Sequence, residues 1–323
     1  MKISLSWLQQ YLKVDLSTDE LSELLTDIGL EVEGIHKYET IKGGLKGIVI
    51  GKILTVDKHP DADRLNLTSV DVGAEDPLQI VCGAPNVAIG LNVPVATVGT
   101  RLYDGDESFK IKRSKIRGQI SNGMICGPDE IGLGPKTDGI MELPDDAEVG
   151  TAGADYFNVN EDIVFEIGLT PNRSDAMSHI GVARDLKAVL NSRGDDLKMC
   201  MPSIKDFKID NKDLTIDVKI ESESLCPRYS GVSISNVTVN ESPDWLKHKL
   251  LSIGINPINN IVDVTNYVLH ETGQPLHAFD TEKILGKEII VKTLSNDTNF
   301  ITLDESNRKL SDNDLMICNA KEP

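Results

Sequence analysis

Aromatic side chains make up only 4% of this 323-residue sequence, and positive charge is equally short, with 33 Lys and Arg against 51 Asp and Glu. A formal charge of −18 argues against broad, sequence-blind wrapping of nucleic acid, so any such contact must be a local basic patch. No CxxC pair occurs; Cys82, Cys126, Cys200, Cys226 and Cys318 stand far apart and are odd in number. That pattern gives no disulfide framework, and with no secretory leader ahead of it the expected location is the reducing cytoplasm. No apolar run approaches the roughly 20 residues of a membrane helix, so no membrane partner is expected. What is present, 40% apolar and 26% charged residues, describes a globular chain long enough for two or three units.

The N-terminus reads as two short amphipathic helices. Ser6 precedes Trp7, Leu8, Tyr11 and Leu12, and Ser17 with Glu20 forms a capping-box pattern before Leu21, Leu24, Leu25 and Ile28. These residues cannot bury their apolar face alone. From Ile41 to Gly150 the texture changes to short β-rich runs between turn residues: 47–56, 65–72, 78–82, 92–98 and 109–116. Such spacing predicts a small closed barrel of the OB type. Pro171 to Asp175 then caps a helix carrying Ala176, Ile180, Ala183, Leu186 and Leu190 and ended by Gly194. Pairing this helix with the N-terminal ones makes residues 1–40 plus 151–194 one discontinuous scaffold domain, with the barrel at 41–150 as an insertion. Residues 195–213, rich in Asp and Lys, read as a linker. A third unit at 214–323 has strand-like 214–220 and 229–239, a helix near 243–253, and strand-like 288–292 and 315–318 at its end. The fold class expected is α+β multidomain.

Lys110, Lys112, Arg113, Lys115 and Arg117 form a run of cations without an anion in an otherwise slightly acidic barrel. Strict strand alternation would split them over two faces, which predicts a bulge or strand exit. Charge alone leaves two readings open, a solvated rim and a local phosphate contact. His59 to Leu65 reads as a turn held by Pro60 and Asp61 or Asp63, and no metal site is expected there. Cys82 and Cys126 read as buried small apolar groups. Between Pro257 and Asp280 lies the densest polar chemistry: Asn259, Asn260, Asp263, Thr265, Asn266, His270, Glu271, Gln274, His277 and Asp280. On residue types it reads as a β-turn-β scaffold whose Asn and Thr groups satisfy backbone. No serine elbow accompanies it.

Four ordered blocks, His59-Pro-Asp-Ala-Asp-Arg-Leu65, Gln79-Ile-Val-Cys-Gly-Ala-Pro-Asn-Val87, Val93-Pro-Val-Ala96 and Ile116-Arg-Gly118 to Ser121-Asn-Gly-Met-Ile-Cys126, resemble the tRNA-binding OB domain of aminoacyl-tRNA synthetases. The outer blocks, Met1 to Leu8, Thr170-Pro-Asn-Arg-Ser-Asp-Ala-Met-Ser-His-Ile-Gly-Val-Ala-Arg184, Pro257 to Val268 and Gly273-Gln-Pro-Leu-His-Ala-Phe-Asp280, extend the resemblance to the bacterial phenylalanyl-tRNA synthetase β-subunit family across essentially the whole chain. Family β subunits are longer, and the sequence resembles their N-terminal part, ending within the B3/B4-like editing domain. The resemblance implies tRNA binding by the barrel, with Lys110, Lys112, Arg113, Lys115 and Arg117 as the contact. It also implies hydrolysis of tyrosine wrongly attached to phenylalanine tRNA, with His277, Thr265 and Asn266 as candidate catalytic residues. Asn256 stands where the family often has arginine, so that substrate contact is either absent or supplied by Arg228. The family's acidic reader of the tyrosine hydroxyl lies past residue 323, so these residues alone are expected to lack a complete editing pocket and to be inactive by themselves. No cofactor is expected here; ATP and Mg²⁺ belong to the full enzyme and its α subunit, in an assembly of two α and two β chains. A free-standing OB-fold tRNA-binding module and a structural scaffold without hydrolysis remain the alternatives.

Overall fold

In the computed structural model, which describes residues 1–105 and 107–321, the first helix starts at Ser4 rather than Ser6. Strand β1 (Lys2–Ser4) runs directly into α1 (Leu5–Leu8), and the Ser4 hydroxyl caps it by accepting the Trp7 N–H at 3.1 Å. The Ser6 hydroxyl instead donates to Asp162 at 2.7 Å. In α2 (Thr18–Asp27) the predicted capping box is present, Ser17 N–H reaching Glu20 Oε2 at 2.8 Å and Glu20 N–H returning to Ser17 Oγ at 3.3 Å. Strand β2 (Glu31–Glu39) follows.

Nine strands come next: β3 (Ile48–Lys58), β4 (Asn66–Asp71), β5 (Leu78–Cys82), β6 (Asn92–Thr97), β7 (Arg101–Asp104), β8 (Glu107–Lys110), β9 (Ser114–Ile116), β10 (Gln119–Ser121) and β11 (Gly123–Ile125). Five of them form an antiparallel sheet in the order β11-β6-β3-β4-β5. Its two edges meet where Asn122 N–H donates to Gln79 O at 2.9 Å, so the sheet curls into a nearly closed barrel. Ile53, Val70, Ile80, Val93, Val95 and Ile125 fill the interior, each contributing about 1.5–3 kcal/mol of burial. A second cluster, Leu45, Ile48, Ala96, Leu102, Ile111 and Cys126, packs on the other side of β3 and β6, which explains why β6 is apolar on both faces. Burial pushes the Cys126 thiol up to about 12, so it packs as a small apolar group.

The 109–116 run is not one strand. Ile111 is buried and bonds Thr100 O through its N–H at 2.7 Å, taking the chain out of the β7–β8 hairpin before the β9–β10 hairpin begins. That is the strand exit required by five cations that cannot all share one strand face.

After α3 (Gly153–Tyr156), β12 (Glu161–Gly168) inserts between β1 and β2 in a three-stranded antiparallel sheet. Glu161 sits opposite Glu39, and Thr40 N–H donates to Asn160 O at 3.0 Å. The chain therefore leaves the sheet for the barrel and returns on the neighbouring strand, a geometry that accommodates an inserted module at little cost. Helix α1 packs on β12 and α2 on β2. Trp7, Leu8, Leu21 and Leu25 are thereby buried with Ile3, Phe165 and Ile167.

By internal packing the chain forms two units, residues 1–173 with 251–255, and 174–250 with 256–323. The second holds α4 (His179–Ser192), capped by the Ser178 hydroxyl, which accepts Gly181 N–H at 2.9 Å. Residues 195–213 carry no helix or strand. Strand β13 (Asp217–Ile220), α5 (Asp244–Ser252), α6 (Asn260–Thr272), β14 (Glu288–Thr293), β15 (Asn299–Ile301), β16 (Asn307–Lys309) and β17 (Leu315–Cys318) complete the chain. Strand β14 is central, parallel to β13 and antiparallel to β17.

Two expectations fail in this unit. Pro257 to Asp280 is not β-turn-β, because residues 260–272 are the helix α6. The Asn259 side chain accepts both Ile261 and Val262 N–H at 3.0 Å, and Gly273, at φ 82°, provides the left-handed C-terminal stop. These caps override the β-branched run Ile261, Val262, Val264, Thr265. Residues 229–239 form no ladder, and Val232 and Ile234 are 71% exposed, because no strand among the described residues pairs with them.

His179, fully buried at the start of α4, is held neutral: burial pushes its pKa down to about 3 against the opposing bond to the His270 carbonyl, with the nearby His270 and Lys249 charges adding to the downward direction. An unfolded histidine protonates near 6.5, so below that pH the unfolded chain binds a proton that the folded one refuses. The stabilisation is complete above about 6.5 and falls by ~1.4 kcal/mol per pH unit as the pH drops towards 3. Chemical denaturation of the full-length protein and its His179→Asn variant is expected to show their stability difference narrowing by about 2 kcal/mol between pH 7 and pH 5.

Candidate nucleic-acid interface and hydrolytic site

Lys110, Lys112, Arg113, Lys115 and Arg117 are all exposed on β8, β9 and the segments that follow them. Among the described residues none of the five forms an ion pair. Other lysines of the chain are matched: Lys37 by Glu39 and Glu161, Lys219 by Glu288, Lys247 by Glu241 and Asp244. Arg117 and Gly118 form the two-residue tip of the β9–β10 hairpin, both with positive φ, 42° and 94°. A primed turn needs that conformation at both positions, and arginine adopts it at a cost of roughly 1–2 kcal/mol. The Arg117 guanidinium donates to Asp61 O at 3.3 Å.

The His59 to Leu65, Gln79 to Val87 and Ser121 to Cys126 blocks brace this hairpin. His59 accepts Asp61 N–H on Nδ1 at 3.1 Å, so its proton is on Nε2, which donates to Ile116 O at 3.2 Å. It is this buried imidazole, rather than an Asp61 or Asp63 side chain, that ties the His59 turn to the hairpin. Gln79 Nε2 donates to Ile120 O at 2.8 Å, and Ser121 Oγ accepts Val81 N–H at 3.1 Å. Phe109, 48% exposed beside Lys110, and Ile120 add apolar surface to the rim, a feature that charge counting overlooks.

In the second unit, α6 sorts the polar residues of the 257–280 segment by what they bond. Asn259 caps the helix; Asn260 holds the neighbouring chain through Thr238 O at 3.0 Å and Asn240 N–H at 3.1 Å. Asp263 is fully buried and accepts the Ser242 hydroxyl and Ile258 N–H, the latter at 2.8 Å. Thr265 donates to Val262 O at 2.7 Å, leaving its oxygen able only to accept. Asp280 caps the short turn at 281–283. Glu271 accepts the Tyr267 hydroxyl and Gln274 donates to Pro275 O, each at 3.3 Å, and the His270 ring is half-buried in the last turn of α6. The two other groups are Asn266, part-exposed on α6, and His277, exposed and stacked on Phe279 with ring centroids 6.1 Å apart. Among the described residues neither side chain makes a hydrogen bond to protein, so both are available to a ligand. Thr265 and Asn266 are adjacent on one helix, whereas His277 follows beyond its glycine stop, with no bond joining it to them. Arg228 and Asn256 are exposed and likewise unengaged by side-chain hydrogen bonds.

Asp263→Ala would strand the Ser242 hydroxyl and Ile258 N–H inside the protein. We expect a loss of about 2–4 kcal/mol in denaturant titration, against less than about 1 kcal/mol for Asn266→Ala.

Among the described residues no group of three His, Cys, Asp or Glu side chains is arranged to hold a metal ion, and no helix is long and apolar enough to cross a membrane. Residues 48–152 match the putative tRNA binding domain family and residues 225–323 match the B3/4 domain family. The chain is thus an α+β protein that joins a tRNA-binding barrel to a B3/4 domain. Over 322 residues and all of this chain it is 55% identical to the phenylalanine–tRNA ligase beta subunit of Bacteroides thetaiotaomicron. With the beta subunits of Porphyromonas gingivalis and Bacillus cereus the identities are 53% and 40%, each over 99% of the chain. It belongs to the phenylalanine–tRNA ligase beta subunit family. The chain spans 39% of the length of each of these relatives.

Proposed function

We propose that this chain acts within a phenylalanine–tRNA ligase, holding phenylalanine tRNA through its barrel and removing tyrosine wrongly attached to that tRNA through its B3/4 domain. The observation that carries the proposal is the cluster of five exposed, unpaired cations on two adjoining hairpins of a protein whose net charge is −18. Uncompensated cations release counterions on meeting phosphates, and a bound tRNA held this way tolerates an otherwise repulsive surface.

Hydrolysis is needed because a phenylalanine pocket rejects a ring with one added hydroxyl by only about 10²-fold. A second site that hydrogen-bonds the phenol can retain tyrosyl ester and reject phenylalanyl ester, whose ring would leave polar groups unpaired. In that site His277 orients the attacking water or the terminal ribose, and Asn266 donates to the oxygen that becomes negative. Thr265, its proton committed to Val262 O, accepts from substrate. Water adds to the ester carbonyl, the bond to the ribose oxygen breaks, and that oxygen takes up the proton. Arg228 supplies the cationic contact that Asn256 does not.

Activation of phenylalanine with ATP and Mg²⁺ is assigned to a partner α subunit, in a cytoplasmic assembly of two α and two β chains. The test is release of tyrosine from tyrosyl-tRNA by the full-length protein with its α partner; charged tRNA that survives as long as in buffer would refute the hydrolytic half.

A further inference from the structure

The block Thr170 to Arg184 supplies neither an exposed cation nor a ligand-facing group to the sites above, yet it contains the fully buried His179. The surrounding backbone leaves little play. Ser178 caps α4, and a Cβ at Gly181 would lie 2.4 Å from Asp175 O, so the first turn of α4 is pressed onto the 174–176 turn. From there His179 Nδ1 lies 2.8 Å from the carbonyl oxygen of His270, in the last turn of α6. A carbonyl can only accept, so the imidazole donates from Nδ1. The carbonyls of a helix's last turn lack partners within the helix. That of His270 is supplied with one by a residue ninety-one positions away. A Cβ at Gly273, the stop of α6, would lie 3.7 Å from Met177 O and from Ser178 Cβ, so the same corner of α4 bounds the helix end on a second side.

We infer that His179 is a positioning residue of the hydrolytic site: its bond to His270 fixes where α6 ends and so sets the register between Thr265 and Asn266 on the helix and His277 beyond it. This rests on the hydrolytic reading above. Asp263 anchors the N-terminal end of α6 and His179 its C-terminal end, and the two ligand-facing parts of the site lie on opposite sides of the His179 contact. Without the bond the helix end frays and the 274–280 segment leaves from a different turn, while the tRNA-binding barrel is untouched.

The experiment compares His179→Leu, which removes the donor, with His179→Asn, whose amide nitrogen takes the place of Nδ1, in the full-length chain assembled with its α partner. Tyrosine release from tyrosyl-tRNA is followed for kcat and KM, and phenylalanine charging reports assembly. For His179→Leu kcat is expected to fall roughly 10- to 100-fold, with KM and charging within about twofold of wild type. His179→Asn is expected to restore kcat to within about threefold. If the leucine variant does not assemble, His179→Gln, whose donor sits one bond further out, replaces it, and a kcat equal to that of His179→Asn overturns the inference. So does a leucine variant with unchanged kcat, or one in which kcat and charging fall together without rescue by asparagine. Undiminished hydrolysis by His277→Ala would remove the site itself and the inference with it. A His277→Ala defect alongside an active His179→Leu would remove the inference alone.

Discussion

Replacing Lys112, Arg113, Lys115 and Arg117 together by alanine is expected to lower the affinity of the full-length protein for phenylalanine tRNA by on the order of 10²-fold near 0.1 M salt. It also makes the dependence of log K on log salt shallower by about three. Both numbers follow from counterion release, to which each phosphate contact contributes about 0.7 to 0.9 of slope. The effect is expected to be large because, among the described residues, these cations have no carboxylate partners to retain in the free protein. Folding is spared, since Ile111, the buried anchor of the segment, is untouched and the four side chains are exposed. Arg117 is the one with a second role, because its bond to Asp61 O is lost as well. An unchanged affinity and slope would mean that the hairpins face solvent or a protein partner, which is the scaffold reading of this chain.

His277→Ala is expected to slow tyrosine release from tyrosyl-tRNA by about 10² to 10⁴, the range associated with a group that handles a proton or orients water. Its folding stability should change by less than about 0.5 kcal/mol, because the side chain is exposed and bonds no other protein group. That separation is what makes the test sharp. A buried histidine such as His179 would confuse lost chemistry with lost packing. His277, exposed and stacked on Phe279, does not. Phenylalanine charging should be unaffected, while misacylated tRNA accumulates. Hydrolysis at the wild-type rate would strike His277 from the site.

How much of this was legible in the residues depends on whether a signal is local. The Ser17–Glu20 capping box, strand 78–82 and strand 315–318 appear where the sequence places them, because caps and apolar runs act within a few residues. The 260–272 helix departs from the expected β-turn-β because its β-branched residues favour strands, while its caps, Asn259 and Gly273, bracket the thirteen helical residues and only count together. Residues 229–239 have the alternation of a strand but no ladder, since a strand also requires a neighbour. At the site, residue type could nominate ten polar groups between 257 and 280. Only the hydrogen bonds revealed that Asn259, Asn260 and Asp263 serve the backbone, while Asn266 and His277 bond no protein group among the described residues.

By itself the sequence determined the family, the barrel, the deficit of positive charge that confines any RNA contact to one run of cations, and the identity of the residues able to do chemistry. The tertiary structure decided which of them are free to do it. Whether Lys115 has a carboxylate beside it, whether the His59 ring braces a hairpin, and whether His179 completes the end of a helix ninety residues away depend on contacts between distant segments. Such contacts form only when burial brings the segments together, and no local pattern of residues encodes the distance between them.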